Sequence, residues 1–96
     1  MTVIPIQNFT ATGAGAAFSM TAGVVSVLGV FVGTINVQVD VLGDGNWANC
    51  IDPVSGNVIA LTAPSAVSFN NQVPALTRLN CSAYTSGTIV ARVQGT

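Results

Sequence analysis

Thr34-Ile35-Asn36-Val37-Gln38-Val39-Asp40-Val41-Leu42 is the stretch that decides the fold class. Ile35, Val37, Val39 and Val41 occupy every second position, and Thr34, Asn36, Gln38 and Asp40 fill the places between. Successive side chains of an extended chain point to opposite faces, so this segment is apolar on one side and polar on the other. That pattern predicts a half-buried antiparallel strand. Gly43-Asp44-Gly45-Asn46 follows at once and supplies an Asp-Gly pair, which tolerates the positive φ of a tight reversal. A hairpin is therefore predicted, with Trp47 opening its second arm.

The same alternation recurs further out. Near the C-terminus Ile89, Ala91 and Val93 alternate with Thr88, Arg92 and Gln94, behind a Tyr84-Thr85-Ser86-Gly87 stretch that reads as a turn. Further strands are expected at residues 3–9, 17–20, 24–32, 58–62, 67–70 and 76–81. Turn residues at 13–15, 55–57, 64–65 and 70–71 separate them. Short strands punctuated in this way, with no helical periodicity, predict an all-β chain: a single-domain antiparallel β-sandwich or barrel, jelly-roll-like, over residues 1–96. Residues 1–15 read either as an extended N-terminal arm or as a simple first strand.

Charge sets the second boundary. Only 5% of the residues are charged and the net charge is −1. The five are Asp40, Asp44, Asp52, Arg78 and Arg92; Lys, Glu and His are absent. A surface with so little charge repels its neighbours weakly, which suits a permanent assembly. It also lacks most of the side chains that move protons near neutral pH, so no catalytic residue and no enzymatic role is expected. Two arginines cannot form the cationic footprint that phosphate contacts require, so no nucleic-acid partner is expected. A membrane span is not expected either: the apolar run at residues 22–32 is short for a bilayer, Ser26 and Gly29 interrupt it, and no Lys or Arg flanks it.

Several apparent motifs dissolve on inspection. Gly13-Ala14-Gly15-Ala16-Ala17-Phe18 begins like a dinucleotide fingerprint, but Phe stands where the third glycine belongs. Asp44, Asn46 and Asp52 lack the continuing acidic positions and the bidentate Glu of a calcium loop, so neither metal nor cofactor is expected. Asn8-Phe9-Thr10 and Asn80-Cys81-Ser82 match the glycosylation pattern in a chain rich enough in Asn, Ser and Thr for chance matches. Cys50 and Cys81 are the only thiols. A bond between them would stabilise by about 3 kcal/mol, but without a secretion signal free, buried thiols are the expectation. With no His or Lys nearby in sequence, neither reads as a nucleophile.

Residues 24–32 break the alternation. Val25, Val27 and Phe31 share one parity, and Val24, Leu28, Val30 and Val32 the other, so both faces are apolar. An apolar outer face on a monomer is an aggregation liability. Val24, Leu28, Val30, Phe31 and Val32 are thus the expected subunit interface of a homo-oligomer, expected as a homotrimer. The alternative is a strand that its own domain covers on both sides. Asp40, Arg78 and Arg92 fall on polar parities and are expected to pair across an exposed sheet face, with a worth of at most about 1 kcal/mol. An Asp40→Asn change is then expected to be nearly neutral.

The run Gly33-Thr34-Ile35-Asn36-Val37-Gln38-Val39, then Asp44-Gly45-Asn46-Trp47, then Leu76-Thr77-Arg78-Leu79-Asn80 leading to Tyr84-Thr85-Ser86-Gly87-Thr88-Ile89, resembles small β-sandwich virion proteins of tailed bacteriophages. The resemblance covers the chain from about Gly33 onward. It implies a structural part of the particle: a capsid decoration (cement) protein on the virion surface, made in the host cytoplasm and bound to the major capsid protein. A head fibre, spike or tail component is the neighbouring implication. A small carbohydrate-binding module, with Trp47 and Tyr84 as stacking residues, is the alternative from another class.

Overall fold

Hydrogen bonding along the extended chain organises residues 1–96 of the computed structural model into eight strands. They are β1 (Thr2–Phe9), β2 (Gly13–Ala14), β3 (Phe18–Leu28), β4 (Phe31–Asp40), β5 (Ala48–Asn49), β6 (Ala60–Leu61), β7 (Ser65–Gly87) and β8 (Ile89–Gly95). Every pairing is antiparallel, in the order β1-β8-β3-β7-β4-β5, with β2 against β7 and β6 against β4. The fold is the all-β antiparallel arrangement that the alternation predicts. No helix is long and apolar enough to cross a membrane.

The strands form two layers around one core. On one side lie β1, β8 and the paired segments Ala22–Leu28 of β3 and Ser65–Asn70 of β7; on the other lie the rest of β7 with the start of β3, and β2, β4, β5 and β6. Phe9, Val25, Val27, Phe69, Ile89 and Val93 from the first layer meet Ile35, Val37, Ile59, Leu61, Leu79 and Cys81 from the second in a continuous buried cluster. The inward positions of β4 and β8 are those the sequence assigns, Ile35 and Val37 in one and Ile89, Ala91 and Val93 in the other. Burying such aliphatic side chains at roughly 1.5–3 kcal/mol each is what closes the layers on each other.

One ribbon joins the two layers. β3 and β7 remain paired from Phe18↔Thr77 to Val27↔Ser65, broken only by a register shift where Met20 faces Ala75 and Ala22 faces Asn70. Residues 71–74 bulge out at this shift, and Gln72 takes a positive φ of 67°. The Asn71 side chain secures the bulge: its Nδ2 donates to the Met20 carbonyl (3.1 Å) and to Thr77 Oγ1 (3.0 Å). Asn70 Oδ1 accepts the Gln72 N–H at 2.8 Å. The segments 67–70 and 76–81 are therefore parts of one strand, and the Asn70-Asn71 pair makes a bulge where the sequence predicts a turn.

Two other boundaries move. The expected strand at residues 24–32 is two strands, because the chain crosses between layers at Gly29–Val30. The Tyr84–Gly87 stretch continues β7, and the second crossing is confined to Gly87 and Thr88. These crossings lie side by side. A Cβ on Gly29, with φ of +107°, would stand 2.5 Å from the Thr88 carbonyl oxygen, and one on Gly87, with φ of +88°, would strike the Val30 carbonyl oxygen. Only glycine fits either place. At the N-terminus, residues 2–9 run along β8 as an edge strand, with Thr2 opposite Gly95.

Candidate functional site

Carboxylates and thiols, the usual carriers of chemistry, are tied into the scaffold. Asp40 is buried, at 3% exposure, against the expectation that it lies on an exposed polar face. Its Oδ1 accepts the N–H groups of Gly43 (2.9 Å) and Asp44 (3.2 Å), and its Oδ2 accepts that of Gly45 (2.8 Å). The loop needs those acceptors because β4 stops at Asp40, leaving Val41 and Leu42 outside the sheet. Arg78, diagonal to Asp40 on the same face, is engaged by Gln38 and Trp47, and Arg92 lies beside Ser26 in the other layer, so the expected Asp–Arg pair does not form.

Asp44 Oδ1 accepts the Asn46 N–H, and this bond holds the Asp44 carboxyl below its ordinary value. Asp52 Oδ1 accepts the Val54 N–H in the turn between the bridged residues Ile51 and Val58, where the Asp52 N–H also donates to the Asn57 carbonyl. The three carboxylates thus each serve a local turn, and no three His, Cys, Asp or Glu side chains converge as a metal site would require. Cys50 and Cys81 are both free and buried. Burial pushes the Cys50 thiol up to about 11 and raises that of Cys81, the opposite of nucleophilic activation.

Two surfaces remain. The first is aliphatic. Strand parity turns Val25 and Val27 into the core and Val24 and Leu28 outward, and Phe31 packs partly buried against the core. Val30, at the layer crossing, is 94% exposed, and Val32 is exposed just beyond it. Of the five expected interface residues, four are therefore exposed, Leu28, Val30 and Val32 around the crossing and Val24 four positions back along β3, and Phe31 is only partly buried. Val24 continues into a shallow cleft of about 420 Å3, whose walls include Val3, Ile6, Ser26, Gln94 and the aliphatic stem of Arg92.

The second surface is polar and lies on the outer face of the other layer. The register Asn49↔Gln38↔Arg78 sets three side chains in a row across β5, β4 and β7. Gln38 Nε2 donates to Asn49 Oδ1 (3.1 Å), and Gln38 Oε1 accepts from Arg78 Nε (2.8 Å). Trp47, one row along, reaches diagonally so that the Arg78 guanidinium carbon lies 4.2 Å from its ring centroid. Asn80 stands next to Arg78 on the same face, between the small residues Ala14 and, beyond Asn36, Ala60. Sequence reading singles out Trp47 and Arg78 separately; the diagonal contact that unites them has no sequence signal. Tyr84 is not part of this group. It lies six positions further along β7, roughly 20 Å in an extended strand, packs against the core and donates its hydroxyl to the Gly87 carbonyl (2.6 Å).

No protein-family model matches the chain, and no curated protein or solved structure matches it either.

Proposed function

We propose that this chain is a non-enzymatic structural protein of a virus particle, a capsid decoration protein that binds the assembled shell as a homotrimer and strengthens it. The observation that carries the reading is the exposure of four aliphatic side chains, Val24, Leu28, Val30 and Val32, on a chain with only five charged residues. Exposed aliphatic side chains in number mark contact surfaces, and little charge opposes their association. The resemblance of the region from Gly33 onward to phage virion proteins supports the location. Weak apolar contacts repeated over a symmetric shell multiply, since each bound copy links neighbouring subunits.

The test is to prepare shells without the protein, add it back and compare heat-induced rupture, with light scattering on the free protein. A trimer that binds at regular positions and raises the rupture temperature is the expected result. Val30→Glu should fold, because its side chain lies in solvent, and should lose both trimer and shell binding. Wild-type protein that stays monomeric and leaves rupture unchanged would overturn the reading in favour of a fibre, spike or tail component.

A further inference from the structure

The geometry points to a carbohydrate-binding site on the face carrying Trp47, Gln38, Asn49, Arg78 and Asn80, for a glycan that bears carboxylate groups. Three observations carry it, and none depends on the aliphatic surface. First, Arg78 is a cation without a carboxylate partner. Its Nε is engaged by Gln38, but its two terminal nitrogens have no protein acceptor, and the one carboxylate on β4, Asp40, is taken up with three backbone amides of its own loop. A planar fork held at one edge and free at the other is preorganised to accept a carboxylate.

Second, the guanidinium does not stand alone: it lies against the indole of Trp47, which is itself partly exposed. Aromatic rings receive the C–H faces of sugars, since these are apolar patches on otherwise polar rings. Third, the surrounding groups are amides. Asn49 Nδ2 and the Asn80 side chain carry no partner, and Gln38 is held in one orientation by its two bonds. An amide both donates and accepts, as a sugar hydroxyl does, so amides beside an aromatic ring suit vicinal hydroxyls. The small residues Ala14 and Ala60 keep the flanks of this face low. A pyranose along the row brings its C–H groups to the part of the indole that the guanidinium leaves uncovered, its hydroxyls to Asn49 and Asn80, and its carboxylate to the Arg78 terminal nitrogens. A protein partner would draw on a wider apolar contact than one ring provides.

Trp47 is the only tryptophan in the chain, so its fluorescence reports the site directly. The full chain is titrated with tetragalacturonate, with its methyl ester, which keeps rings and hydroxyls but loses the charge, and with tetraglutamate of equal charge. Saturable quenching by the free acid, about tenfold weaker binding of the ester, and loss of binding in Arg78→Gln is the expected result. Absence of a saturable change at millimolar tetragalacturonate overturns the proposal. Equal binding of the ester overturns the role of Arg78, and equal binding of tetraglutamate overturns carbohydrate recognition. Should Arg78→Gln fail to fold, the three ligands on the wild-type chain decide the matter by themselves.

Discussion

Replacing Asp40 by Asn changes one atom of the side chain and should destabilise the fold by about 3 kcal/mol. The carboxylate is buried and accepts three backbone N–H groups, from Gly43, Asp44 and Gly45. Asn retains one carbonyl oxygen, which can keep the two bonds made by Oδ1. Each then loses its charge assistance and falls from about 1.5–3 toward about 1 kcal/mol. The NH2 group takes the place of Oδ2 and faces the Gly45 N–H, donor against donor, so that charge-assisted bond, worth about 1.5–3 kcal/mol, is lost. The low end of the sum is near 3 kcal/mol, or a fall in melting temperature of roughly 15 °C for a domain of this size. Urea unfolding followed by Trp47 fluorescence measures it, since the indole lies at the end of the same loop. A loss below about 1 kcal/mol, the worth of an exposed ion pair, would refute the argument that these amides close the loop.

Other outcomes follow from the same geometry. Gly87→Ala should lose more than about 3 kcal/mol or fail to fold, because the new Cβ meets the Val30 carbonyl, whereas Gly56→Ala, with φ of +77° and no atom within 4 Å, should cost only about 1 kcal/mol; similar melting temperatures for the two variants would contradict the crossing geometry. Burial raises the Cys50 thiol from 9.0 to about 11, so the folded state holds its proton longer than the unfolded chain. That contribution is complete below pH 9.0 and is lost as pH rises through about 11. Thermal melts across this window should show a smaller alkaline loss for Cys50→Ala than for wild type, and an equal loss would remove Cys50 as the cause.

Alternation made much of this architecture legible. The inward sides of β4 and β8 follow from side-chain parity, and so does the outward turn of Val24, Leu28, Val30 and Val32, although the strand they were read from is two. Parity survives the break because the crossing at Gly29–Val30 inserts two residues, which preserves the in-and-out phase. What parity could not supply was the environment of Asp40. A polar side chain on the outer face reads as solvated, whereas the loop that follows folds its amides over it. The continuity of β7 was hidden for a similar reason: Asn70-Asn71 before Pro74 has turn composition, but the Asn71 side chain replaces the backbone bonds that the bulge forgoes. The polar face was the least legible, since its assembly depends on cross-strand register, which sequence separation does not reveal.

The ribbon of β3 and β7 also governs how the molecule yields under load. A force drawing the two layers apart runs along two continuous backbones that turn the corner together, and their ladder bonds share it. The irregular point is residues 71–74, which stand opposite Thr21 alone and so hold three residues, roughly 10 Å of extended chain, in reserve. The two bonds donated by the Asn71 amide are the latch on that reserve. Once they part, the strand lengthens before its paired segments slip. The bulge is thus where extra chain length is stored in an otherwise continuous ribbon.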